Sequence, residues 1–307
     1  MGDIFSIMSS SLVSLFICLA VGYICRKKHI LSREITGGLS SLLIMVTLPC
    51  TIFISFQREF SSELLIESVW VFIISVITNF FAMFMGWVFT RLFKKLTIDQ
   101  KRLWIFALTF SNTGYMGLPV INAIYGAEGL IFCAMVSAAF NFMAYTVGIR
   151  IISKEKKKMD WRAIVFNPPL IASVIAIICF VLSAVPPAPV NNGIKFLSDM
   201  TTPLAMLIIG SMLAKSDITR VFTDKLLYIP MAARLIVLPL IALYVLKPFV
   251  TNPVMLGVCV ILTGMPVATI TPIFAERYGS DTDYASKIVF ATTVLCLATT
   301  PLISLLL

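Results

Sequence analysis

The chain has 307 residues and a net charge of +9; 59% of its residues are hydrophobic and only 13% are charged. Soluble domains average about 25% charged residues, so this composition excludes a soluble protein. The mean hydropathy of +0.98 and the long apolar runs predict an integral membrane protein built from helices, not from the alternating strands of a barrel. With no soluble basic domain in the sequence, we expect no nucleic-acid partner.

Ten apolar segments, called spans 1 to 10, are long enough to cross a bilayer. They cover residues 4–25, 35–56, 64–90, 103–125, 129–152, 163–185, 194–214, 226–246, 253–274 and 284–307. A charged linker of ten residues, 153–162, follows span 5 and divides the chain into two halves of five spans. The sequence therefore predicts an all-α membrane protein with ten transmembrane helices.

Basic residues are distributed unevenly between the loops. The loops after odd-numbered spans hold 19 lysines and arginines, whereas the other loops hold three. Because positive residues stay on the cytoplasmic side, this predicts a multi-pass plasma-membrane protein with cytoplasmic odd-numbered loops and both termini outside.

Spans 4 and 9 contain residues that interrupt a helix. Span 4 carries FSNTGYMGLPV (110–120) and span 9 carries LTGMPVATITPIF (262–274). Glycine and proline weaken a helix, and a broken backbone at membrane depth needs cover from protein or a water-filled cavity. Two broken spans in corresponding places point to a transporter's central site.

The two halves share a pattern of glycine and proline. The Gly-x-Pro-Val sequences of spans 4 and 9 lie 147 residues apart, and Pro49 and Pro203 in spans 2 and 7 lie 154 apart. Since five spans is an odd number, two such halves insert with opposite orientation. We therefore predict an inverted repeat with halves 1–155 and 156–307.

Half-helices that begin inside a membrane offer free amides and a positive dipole end. We expect the amides after Pro119 and Pro266 to bind a carboxylate where spans 4 and 9 cross. Alternatively, the polar side chains there only satisfy the freed backbone, and Asn141 of span 5 only joins helices. The predicted substrate-binding residues are Ser111, Asn112, Thr113, Tyr115, Pro119, Val120, Asn141, Gly264, Pro266, Val267 and Thr269.

Arg234 is the one clear charge within a span. It either extends to the cytoplasmic interface or pairs with a substrate anion or with Glu276. Freed carbonyls near Gly114 and Thr263 could hold sodium. No acidic residue deep in a span marks an ion site, so a coupling ion, sodium or proton, stays open. The seven cysteines form no CxxC pair, and we expect no cofactor and no other metal.

The pattern N-T-x-x-M-G-x-P, from Asn112 to Pro119, resembles the crossover of the auxin efflux carrier family, which includes plant PIN proteins and bacterial malate- and malonate-type permeases. The resemblance implies a scaffold domain of spans 1, 2, 6 and 7 and a transport domain of spans 3–5 and 8–10 that moves as an elevator. It also implies a homodimer formed through the scaffold and an organic-anion site at the crossing. The family's crossover asparagine corresponds to Asn112, and its prolines to Pro119 and Pro266. The long central loop of the plant carriers is missing, which argues against auxin as the substrate.

The sequence thus favours a lipid-embedded secondary transporter for small mono- or dicarboxylates such as malate or malonate. The alternatives are an exporter of auxin-like aromatic acids, a sensor built on a transporter fold, and an anion channel. An intramembrane enzyme is not expected, because no aspartate lies deep in a span and His29, the only histidine, lies in a loop.

Overall fold

The computed structural model describes residues 2–93, 95–153, 165–214 and 224–307. These residues form helices joined by short connections, and no strand longer than a single bridge occurs among them. The helices are α1 (Gly2–Lys27), α2 (Arg33–Ser55), α3 (Ser62–Leu92), α4 (Ile98–Thr109), α5 (Thr113–Ile152), α6 (Pro168–Val181), α7 (Ala188–Asp199), α8 (Thr201–Leu213), α9 (Tyr228–Leu246), α10 (Pro253–Thr263), α11 (Thr271–Arg277) and α12 (Thr282–Ser304). Within α5 the backbone of Gly126 is not helical (φ 58°, ψ −145°), so this helix is kinked between spans 4 and 5.

Six of these helices are long and apolar enough to cross a membrane: α2, α3, α5, the continuous α7–α8 stretch, α9 and α12. The shorter helices α6 and α10 are also apolar. The prediction of an all-helical, multi-pass membrane protein is confirmed, while the count of ten crossings stays a prediction. Residues 154–162 of the basic linker and the whole loop at 215–223 lie outside the described residues, and the orientation in the membrane also stays a prediction.

Prolines in three of the apolar helices follow π-helical turns. The turns and their prolines are Leu43–Thr47 before Pro49, Thr113–Gly117 before Pro119, and Ala233–Val237 before Pro239. A proline has no N–H, and its ring displaces the carbonyl four residues earlier, which in each case lies in the π turn. A π turn is wider than an α turn and accommodates this displacement. The helices therefore continue through these prolines.

The chain forms two compact units by its internal contacts. The first unit contains Met1–Trp70, Gly114–Ala138 and Val165–Lys215. In it, α1 packs on α8 at two glycines: a Cβ on Gly22 would meet the backbone of Leu207, and one on Gly210 would meet the backbone of Leu19. Small residues at such contacts let helices approach closely in lipid, where apolar burial gives no drive to associate.

The second unit contains Val71–Thr113, Ala139–Ile164 and Ser216–Leu307. Its α4 and α12 are joined by the indole N–H of Trp104, which donates to the hydroxyl of Tyr284 at 2.7 Å. The rings of Phe106 and Phe110 pack with their centroids 4.6 Å apart. Both helix breaks, at residues 110–112 and 264–270, lie in this unit.

Backbone features recur about 154 residues apart. The corresponding pairs are the left-handed residues His29 and Ser183, the helix ends Thr109 and Thr263, and the left-handed glycines Gly126 and Gly279. The first two pairs are separated by 154 residues and the third by 153. This spacing equals that of Pro49 and Pro203, whereas the Gly-x-Pro-Val match at 147 residues does not join equivalent backbone positions. The inverted repeat itself stays a prediction.

Candidate crossover site

The first break lies earlier in span 4 than the sequence indicates. Helix α4 ends at Thr109, Phe110 is extended with φ −106° and ψ 106°, and helical structure resumes at Thr113. Gly117 and Pro119, expected at the break, lie instead in continuous helix. The π turn from Thr113 to Gly117 accommodates Pro119 without ending the helix.

The second break includes the proline predicted for it. Helix α10 ends at Thr263, Gly264 caps it, and Pro266 lies in the non-helical stretch that follows. Helical structure resumes at Thr271 for the seven residues of α11. The hydroxyl of Thr271 donates to the carbonyl of Ala268 at 2.6 Å.

The two breaks pair with each other in an antiparallel arrangement. The N–H of Asn112 donates to the carbonyl of Pro266 at 2.8 Å, and the N–H of Ala268 donates to the carbonyl of Phe110 at 3.0 Å. Ser111 forms an antiparallel bridge with Val267. Backbone groups released by one break thus satisfy those released by the other, as burial in an apolar medium requires.

The amides after the two prolines are not free, contrary to the sequence prediction. The N–H of Val267, directly after Pro266, donates to the hydroxyl of Thr292 on α12 at 3.1 Å. The residue after Pro119 lies in continuous helix. Helix-end amides beside the prolines therefore cannot supply the positive charge for an anion site.

Arg234 places a buried guanidinium beside the two breaks. It lies in the π turn of α9 and is only 2% exposed, so the first of the two alternatives, extension to the interface, is wrong. Its Nε donates to the carbonyl of Met265 at 3.1 Å and one Nη donates to the carbonyl of Leu108 at 2.5 Å. Among the described residues it is the one buried charged side chain, and none of their carboxylates pairs with it, Glu276 included.

Three predicted residues form the polar lining of the first break. Ser111, Asn112 and Thr113 are all at least nine-tenths buried. The hydroxyl of Thr113 has no hydrogen-bond partner among the residues that the structure describes. A buried polar group without a partner costs about 1–3 kcal/mol, which a ligand or a water molecule would recover.

Five further predicted residues are divided between the two units. Tyr115, Pro119 and Val120 lie on the part of α5 that belongs to the first unit. In the second unit, Asn141 and Thr269 are half-buried.

Gly264 and Thr263, at the start of the second break, both contact other parts of the protein. Gly264 packs so closely that a Cβ there would lie 3.3 Å from Pro239. The hydroxyl of Thr263 donates to the carbonyl of Cys259 at 2.7 Å, within its own helix.

Sequence reasoning missed Thr292 and did not identify the partners of Arg234. The signal for Thr292 was available, since Thr292 and Thr293 are adjacent polar residues between two apolar runs, 288–291 and 294–298. Nothing local marks Leu108 and Met265, because their carbonyls take part through the backbone, whatever the side chain.

A family model described as membrane transport protein matches residues 7–304 of the chain. The chain is 26% identical to an uncharacterized transporter of Methanothermobacter thermautotrophicus, over 99% of this chain and 100% of the relative. It is 26% identical to an uncharacterized transporter of Methanocaldococcus jannaschii, over 92% of each chain. It is 24% identical to a Rhizobium meliloti protein named "Putative malonate transporter", over 91% of this chain and 89% of the relative.

These matches define a membrane transporter, not an enzyme. The chain belongs to the membrane transport protein family, and its resemblance to the auxin efflux carriers is confirmed.

Proposed function

We propose that this protein is a secondary transporter for small organic anions, mono- or dicarboxylates such as malonate or malate, which bind at the paired breaks. The observation that carries the proposal is the buried guanidinium of Arg234, which contacts the last turn of α4 and the second break and pairs with no carboxylate among the described residues. A buried charge costs free energy unless it is paired and hydrogen-bonded. A substrate carboxylate would provide the missing pair.

The donors at the site suit a carboxylate. The two hydrogen bonds of Arg234 to carbonyls use two of its five N–H groups, so others remain for a ligand. A guanidinium presents its donors in a planar fork that matches a carboxylate. Arg234 donates to the carbonyl of Met265, and the next residue, Pro266, accepts the N–H of Asn112. The cation is therefore linked to the first break through two neighbouring residues of the second. The malonate named for the Rhizobium meliloti relative is a molecule of this class.

We propose further that transport proceeds by elevator-type alternating access in a homodimer, with spans 3–5 and 8–10 moving against a scaffold of spans 1, 2, 6 and 7. Two features support a repeat-based carrier. Backbone features recur at 153–154 residues in the two halves, and both breaks lie within one compact unit, so they could move together. By its contacts, the stretch 114–138 of spans 4 and 5 belongs to the other unit, so the boundary of the moving domain rests on the proposal alone.

Uptake of radiolabelled malonate, malate and an indole acid into proteoliposomes tests the proposal. We expect saturable uptake of the small carboxylates by the wild type, with unlabelled substrate inside accelerating entry, and near-complete loss in Arg234→Gln, which keeps donors and removes the charge. The matched control is Arg277→Gln, an exposed arginine of the same unit, which should transport as the wild type does. Normal uptake by a folded Arg234→Gln protein would refute the site, and preference for the indole acid would refute the substrate class.

A further inference from the structure

The end of a broken helix inside a membrane leaves carbonyls that need a donor or a cation. At this crossover they belong to the last turn of α4 and to the residues after α10. In carriers with broken helices, such freed carbonyls and helix C-terminal ends are where coupling cations bind. The group that binds these carbonyls therefore determines whether a cation gradient drives transport.

Five backbone carbonyls at or beside the two breaks accept hydrogen bonds from groups of the protein. Phe110 and Pro266 accept backbone N–H groups of the opposite break, and Ala268 accepts from Thr271. The carbonyls of Leu108 and Met265, one from each broken span, both accept from Arg234. A single cationic group thus bridges the two chain segments.

We propose that the guanidinium of Arg234 occupies the place of a coupling cation, so that this carrier works without sodium. The arrangement has three properties of such a site: a positive charge, carbonyl oxygens from both broken helices, and burial away from water. The negative dipole ends of α4 and α10 favour a cation there, whatever its source. A lysine could not replace it equally well, because its ammonium lacks a fork that reaches two carbonyls on separate segments.

The consequence for transport rests on the proposed function. When a monovalent carboxylate binds, the fixed charge of Arg234 and the charge of the substrate cancel, and the loaded site is neutral. The empty site keeps a charge of +1. Net movement of the anion is then driven by its own gradient and by the membrane potential, with no sodium gradient needed.

The first test needs no substrate. The melting temperature of the purified protein is measured in sodium chloride and in choline chloride at equal ionic strength. We expect no difference for the wild type and for Arg234→Lys. Arg234→Ala, which leaves the carbonyls of Leu108 and Met265 without their donor, should melt a few degrees higher in sodium, because a bound ion stabilises only the folded state.

Specific sodium stabilisation of the wild type would overturn the inference. So would a folded Arg234→Ala protein that is indifferent to sodium, since the carbonyls would then not form a cation site. If Arg234→Ala cannot be purified, radioactive sodium entry during malonate uptake by the wild type decides the matter: co-entry of sodium would refute the inference, and unchanged uptake in choline would support it. Absence of any carboxylate uptake would refute the proposed function instead, and leaves the melting test intact.

Discussion

Replacement of Thr292 by valine should loosen the second break without altering the shape of the core. The hydroxyl of Thr292 is fully buried and accepts the N–H of Val267 at 3.1 Å. It also donates to the carbonyl of Ile288 on its own helix at 2.8 Å. Valine has nearly the same shape, so the substitution removes the acceptor and leaves the N–H of Val267 buried.

The expected cost follows from that one unpaired donor. A buried N–H without a partner costs about 1–3 kcal/mol. Since about 1.4 kcal/mol is a factor of ten, the opening of the break should become about 5- to 150-fold more frequent. The neighbouring Thr293 provides a matched control, because it is also buried but its hydroxyl donates only to Val289 of its own helix, at 2.7 Å, among the contacts shown.

Hydrogen exchange of peptides covering residues 264–270, in nanodiscs, measures this opening. We expect faster exchange at Val267 in Thr292→Val and unchanged exchange in Thr293→Val. Malonate uptake should fall in the first variant and persist in the second. Equal protection in the two variants would refute the reasoning that Thr292 holds the break in place.

Three further predictions concern packing, ligand contact and charge. Gly210→Ala should lower the melting temperature in detergent by the equivalent of about 1–3 kcal/mol, because its methyl group meets the backbone of Leu19. The control is Gly193→Ala, which has open space around it and should raise stability slightly through helix propensity. Thr113→Val should weaken substrate binding, seen as a higher KM for malonate, while the melting temperature stays equal or rises because an unpartnered buried hydroxyl is removed; a fall in stability with unchanged KM would contradict this. A membrane potential, worth about 2.3 kcal/mol per charge at 100 mV, should accelerate net export of a monovalent carboxylate but not one-for-one exchange, and a potential-sensitive exchange in vesicles would contradict a neutral loaded site.

Sequence reasoning located the breaks to the correct spans because glycine and proline act locally. Pro266 lies in the second break as predicted. The first break was placed several residues too late, since Pro119 fits in a helix that a π turn has widened. Whether a proline ends a helix or is accommodated depends on the turn before it, and the residue types in that turn do not predict which occurs.

The placement of Arg234 shows the other limit of sequence reasoning. A charged residue eight positions inside a span could extend to the interface or remain buried, and hydropathy does not distinguish these outcomes. The choice depends on Leu108 and Met265, which lie 126 and 31 residues away along the chain. Their carbonyls become available only where the two broken helices end beside each other.

The sequence by itself determined that this chain is a helical membrane protein of a transporter type, because apolar length, basic loops and helix-breaking residues are local properties that the bilayer selects directly. Only the tertiary structure decided which groups meet at the paired breaks. The breaks satisfy one another through backbone hydrogen bonds between Asn112 and Pro266 and between Ala268 and Phe110, and the remaining carbonyls bind a guanidinium. Every residue carries a backbone carbonyl, and every residue except proline carries an N–H, so the pairing of these groups cannot be read from the sequence and is fixed only by how the helices pack.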